Sequence, residues 1–172
     1  RDPRNVITSI SKHYELNLDD ALNLMLSSSS FTGDKYEKDT PVFISSWKSN
    51  YDSWKSGKFK DKCLFIKYEN LVKKKKETII KVLEFIGNLS NVKFVLNEKK
   101  LQNTLLTTEF NYLQKMEKEQ GFVEGMIDSK TKKEIKFFNS GIERDWKKLL
   151  SDKIVNKIEL SFKKEMTELG YL

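Results

Sequence analysis

Cysteine, histidine, proline and glycine are scarce in this chain of 172 residues, which holds one, one, two and seven of them in that order. With Cys63 alone, neither a disulfide framework within the chain nor a cysteine-based zinc site can be assembled. A reducing, cytoplasmic setting is the expectation. So few prolines and glycines leave little material for long linkers, and no repeat or low-complexity tract is visible. Long apolar runs are absent too. Nothing approaches the about 20 residues of a bilayer-spanning helix, and no charged-then-apolar leader ends in a small-residue cleavage site. A soluble chain without a membrane span follows, organised as a single domain over residues 1–172. No glycine-rich phosphate loop of the G-x-x-x-x-G-K type occurs.

What is present is a hydrophobic fraction of 38% and an aromatic fraction of 12%, enough for one core. The formal charge of +7 favours anionic partners without saying which. Lysines are spread along the chain among 25 acids, so no single basic stripe marks a nucleic-acid face. The one dense cluster, Lys73 to Lys76, suits the solvated start of a helix.

Asp2-Pro3 has the form of an N-cap and first-turn proline, and Val6, Ile7, Ile10 and Tyr14 then recur at helical spacing, predicting a helix from about Pro3 to Tyr14. Leu18, Ala21, Leu22, Met25 and Leu26 mark a second amphipathic segment, and the polar stretch Gly33 to Thr40 a loop. Phe43, Trp47, Tyr51 and Trp54 line up on one helical face as a core stripe. Cys63-Leu64-Phe65-Ile66 is expected to be a buried strand ending at Lys67-Tyr68, followed by a helix from Ile79 to Ile86 that Gly87 stops. Further helices are expected from Leu101 to about Glu119 and along the stripe Ile154, Ile158, Phe162, Met166 and Leu169, with Gly170 as terminator. Strand followed by helix is α/β grammar. A lone strand lacks sheet neighbours, and the chain opens on a dense motif at Arg1. The chain is therefore expected to be the C-terminal part of a domain whose other strands lie upstream.

Four blocks carry a family resemblance. Arg1-Asp2-Pro3-Arg4-Asn5-Val6-Ile7-Thr8-Ser9 resembles the 3′-phosphate-binding segment of sulfotransferases that use 3′-phosphoadenosine 5′-phosphosulfate. A guanidinium grips phosphate through paired charge-assisted hydrogen bonds, and a serine hydroxyl adds a neutral donor. Leu64-Phe65-Ile66-Lys67-Tyr68-Glu69-Asn70-Leu71 is similar to the family strand ending in Tyr-Glu-Asp-Leu. Thr107-Thr108-Glu109-Phe110, followed by Leu113, Met116, Glu117, Gly121 and Phe122, resembles the helix whose phenylalanine stacks on adenine. Phe137-Phe138-Asn139-Ser140-Gly141-Ile142-Glu143-Arg144-Asp145-Trp146-Lys147 is similar to the closing Arg-Lys-Gly, two residues, Gly-Asp-Trp-Lys motif. Asn139 and Ser140 there stand in place of Arg and Lys, and Arg144 in place of a glycine.

The resemblance implies an α/β, P-loop-NTPase-like fold with a central parallel sheet flanked by helices, here mostly helical with few strands. It also implies a sulfotransferase that takes the sulfuryl group from the phosphosulfate donor, without a metal. Arg1 and Ser9 would hold the 3′-phosphate, Tyr68 a ribose or anionic group, Phe110 the adenine face and Thr108 the adenine or its ribose. Asn139, Ser140 and Gly141 would form the closing phosphate loop, with Arg144 as a substitute cation. Neither the family's catalytic histidine nor its phosphosulfate loop matches any block here, so no catalytic residue is assigned to this chain, and activity of this piece alone is not expected. His13, at the end of the first helix, is not taken as the base. The acceptor is a small molecule or carbohydrate bearing a hydroxyl or amine, with Gly33 to Thr40 and Gly121 to Thr131 as variable loops. The competing reading is a basic nucleotide- or nucleic-acid-binding module without this activity.

Overall fold

A computed structural model of the chain describes residues 1–32, 42–58, 60–123, 126–127, 131–132, 134–138, 141 and 145–172. Its contacts divide into two compact units: Arg1 with Leu64–Arg144, and Asp2–Cys63 with Asp145–Leu172.

The second unit is built on α1 (Pro3–His13), α2 (Leu18–Leu26), α3 (Trp47–Ser56), α8 (Trp146–Leu149), α9 (Asp152–Ser161) and α10 (Lys163–Glu168). Asp2 caps α1 by accepting from the Arg4 amide, and Asn17 and Ser46 cap α2 and α3 in the same way. Its core joins Ile7, Ala21, Leu22, Met25, Ile154, Ile158, Phe162 and Met166. The strands β1 (Ser30–Thr32) and β2 (Val42–Ile44) pair antiparallel, with Phe31 opposite Phe43.

Arg4 is a buried hub of this unit. Its guanidinium forks onto Asp2 (2.8 and 3.0 Å), reaches Glu159 Oε1 (2.6 Å) and the Tyr171 carbonyl (2.9 Å), and lies 4.3 Å over the Trp146 ring. Burial works against its charge, but Asp2 and Glu159 outweigh that and raise its pKa.

The first unit runs α4 (Tyr68–Lys73), α5 (Lys75–Leu89), α6 (Glu98–Thr107) and α7 (Phe110–Gln120), then the antiparallel pair β3 (Met126–Ile127) and β4 (Glu134–Ile135). Lys74 both ends α4 and starts α5, where the Thr78 hydroxyl donates to the Asn70 and Lys74 carbonyls. The cluster Lys73 to Lys76 is largely exposed, apart from Lys75, which is half-buried.

Several expectations are corrected. The segment 63–66 joins no strand ladder among the described residues, and Phe65 and Ile66 are exposed rather than buried. The described strands form two antiparallel pairs, and a central parallel sheet is not among them. Parallel pairing needs neighbours on both sides, which an apolar run cannot supply by composition. Phe43 belongs to β2 rather than to a helix and Trp54 is exposed, so of the aromatic stripe it is Trp47 that packs on the core, 5.3 Å from Phe162. Gly87 does not stop α5 but lies within it. The final stripe is divided at Phe162 between α9 and α10. The predicted loop Gly33 to Thr40 lies outside the described residues.

Candidate functional site

Helix α7 carries Phe110, Gln114 and Glu117 at i, i+4 and i+7, hence on one face. Phe137 and Phe138 are fastened to that face. Glu117, only 5% exposed, accepts backbone N–H bonds from Phe137 (2.5 Å) and Phe138 (3.0 Å), while Gln114 Nε2 donates to the Phe138 carbonyl at 2.9 Å. A buried carboxylate is tolerated when such donors replace its water. Around these bonds Phe138 meets Phe110 edge-on at 6.5 Å, and Phe122 packs on Phe137 and Phe138 at 4.8 and 5.1 Å.

Gly141 follows three positions after Phe138 in the sequence. Its φ of +50° is the left-handed conformation that glycine adopts cheaply, and a Cβ there would come within 3.0 Å of the Phe110 ring. Its carbonyl accepts from Arg1 Nη2 at 3.0 Å, and the Arg1 guanidinium lies 4.5 Å over the Tyr68 ring. Four residues from four separate blocks of sequence, Arg1, Tyr68, Phe110 and Gly141, are thus gathered within one unit. Tyr68 is the first residue of α4 rather than the end of a strand. Such a set combines an oriented cation, an aromatic ring and a glycine backbone that admits close approach, the components from which a phosphate and base site is made.

Other expected residues stand differently. Thr108 is exposed, its hydroxyl donating to the Thr104 carbonyl (2.7 Å) and its own carbonyl accepting from Lys75 Nζ (3.0 Å). Lys75 also pairs with Glu109 at 2.9 Å, tying the start of α5 to the start of α7. Ser9 is half-buried on α1 and belongs to the other unit. Asn139, Ser140 and Arg144 lie outside the described residues, as does part of Gly121 to Thr131. His13 is the last residue of α1, with its ring edge-on to Tyr14 at 4.7 Å.

Sequence reasoning did not single out Lys75, Gln114 or Glu117 as supports of this site. For the last two a signal existed: polar residues at i+4 and i+7 from the proposed stacking aromatic, where an amphipathic helix ordinarily places apolar side chains. No helix among the described residues is long and apolar enough to cross a membrane.

A family model described as the sulfotransferase domain matches residues 1–170. No curated protein and no solved structure matches the chain.

Proposed function

The chain belongs to the sulfotransferase domain family, and on that premise we propose that it serves sulfuryl transfer from 3′-phosphoadenosine 5′-phosphosulfate to a hydroxyl or amine acceptor. In this reading the chain holds the 3′-phosphate and adenine side of the donor. Arg1 grips the 3′-phosphate, Phe110 offers a ring to adenine, and Tyr68 orients the guanidinium and meets the ribose. The backbone of Asn139, Ser140 and Gly141 adds donors to the phosphate, and Thr108 lies by the ribose. When bound, the nucleotide supplies the sulfuryl group. The residues of this chain bind and orient it.

One observation supports this most: Arg1 is hydrogen-bonded to Gly141, and Gly141 lies against Phe110, although they come from three separate blocks of the chain. The residue types also fit the ligand. A guanidinium matches a phosphate through its fork, whereas a lone aromatic ring favours any base.

Calorimetric titration of the chain provides the test. Saturable binding of 3′,5′-diphosphoadenosine, preferred at least about tenfold over 5′-AMP and over ATP, is expected, since a tenfold preference needs about 1.4 kcal/mol, within reach of one charge-assisted hydrogen bond. Equal affinity for 5′-AMP would contradict the reading. Steeply salt-dependent binding of single-stranded nucleic acid in its place would favour the competing basic module.

A further inference from the structure

Glu117 is one of the most buried acids among the described residues, yet the groups it holds are backbone N–H donors, those of Phe137 and Phe138. With Gln114 gripping the Phe138 carbonyl, three hydrogen bonds clasp Phe137 and Phe138 to α7, three positions before Gly141 in the sequence. We infer that Glu117, aided by Gln114, is a positioning residue for nucleotide binding: it sets where the Gly141 carbonyl stands, and so where Arg1 is held relative to Phe110. The inference rests on the nucleotide reading above.

The chemistry makes the role sharp. Two adjacent N–H groups require two acceptors, and a carboxylate supplies both in one plane. A glutamine supplies one acceptor and turns a donor toward the other N–H, so Glu117→Gln keeps the shape while spoiling one bond. The three hydrogen bonds of the clasp involve neither Arg1 nor the Phe110 ring, so their loss acts by displacing Gly141. Because Gly141 is the partner of Arg1, the effect should fall on the nucleotide that carries a 3′-phosphate.

Three quantities on the chain distinguish the outcomes: affinity for 3′,5′-diphosphoadenosine, affinity for 5′-AMP, and hydrogen exchange at the Phe137 and Phe138 amides. For Glu117→Gln we expect faster exchange at the amide that faces the new NH2 group, about tenfold weaker binding of the diphosphate and less than about threefold change for 5′-AMP. Gln114→Ala, which leaves both N–H bonds in place, should show the same selectivity with a loss of about threefold. It carries the test if the Glu117 variant does not fold. Wild-type protein that fails to prefer the diphosphate defeats the nucleotide reading itself, before any variant is made. With that preference established, faster exchange but unaltered diphosphate affinity overturns the positioning role alone. Equal loss of both nucleotides, with a lowered melting temperature, would mean that the clasp merely supports the fold, and also overturns it.

Discussion

Arg4 stands three residues after Arg1 in the same short motif, but its surroundings are those of a structural bolt. With about 10% of its side chain exposed, it satisfies Asp2, Glu159 and the Tyr171 carbonyl at once and covers the Trp146 ring. Removing one partner of a buried ion pair strands the other charges. Arg4→Ala is therefore expected to lower stability by about 3–5 kcal/mol in urea denaturation, with Arg4→Lys recovering only part, because an ammonium cannot fork onto Asp2 while reaching Glu159. A loss under about 1 kcal/mol would place this network among weak surface pairs instead. Four separate blocks pointed to Arg1, Tyr68, Phe110 and Gly141 through family resemblance, and these four residues lie together in one unit. The role of Arg4 was not legible, because its partners Glu159 and Tyr171 lie 155 and 167 residues along the chain. No local pattern encodes such a distance.

Among the elements, helices were easier to foresee than strands, for a physical reason. A helix satisfies its backbone within its own segment, so Pro3–His13 and Leu18–Leu26 follow from caps and apolar spacing. A strand is completed only by a neighbour, and the apolar run at 63–66 has no ladder partner in either described sheet. Gly87 illustrates a second limit. Its composition signal is that of a helix stop, but its function in α5 is to let the chain return, for a Cβ there would come within 2.9 Å of the Val92 carbonyl oxygen and 3.2 Å of Phe94 Cβ. Gly87→Ala should consequently destabilise by about 1–3 kcal/mol, the cost of overpacking. In an open helix the same change would stabilise by about 1 kcal/mol. Chemical denaturation gives the sign, and a gain in stability would show that α5 can carry a methyl group at this crossing.

At the scale of the whole molecule, core and candidate site are distributed between two units: the main apolar cluster in one, the gathered Arg1, Tyr68, Phe110 and Gly141 in the other. Charge pairs in the unit that holds the apolar core, largely exposed and so partly screened by solvent, contribute to the pH dependence of stability. The hydrogen bond from Lys55 holds Glu168 below the ordinary carboxylate range, while Glu168 raises Lys55, and Glu165 with Asp52 raises Lys48. A lowered acid contributes stability above its unfolded pKa and loses it as pH falls through the folded value. A raised lysine contributes below its unfolded pKa and loses it as pH rises through the folded one. These pairs therefore favour a neutral plateau with an acid and an alkaline edge. The stability difference between wild type and Glu168→Gln, followed by urea midpoints, should shrink as pH drops from about 6 to 3; a difference independent of pH would exclude the pair.

Arg1→Ala, titrated with 3′,5′-diphosphoadenosine beside the wild type, tests the proposed donor site most directly. Loss of the guanidinium should weaken the diphosphate by about 10- to 100-fold, the worth of about 1.5–3 kcal/mol for hydrogen bonds to a charged group, while leaving 5′-AMP nearly unaffected. A variant that binds the diphosphate as tightly as the wild type would contradict a nucleotide held between Arg1 and Phe110.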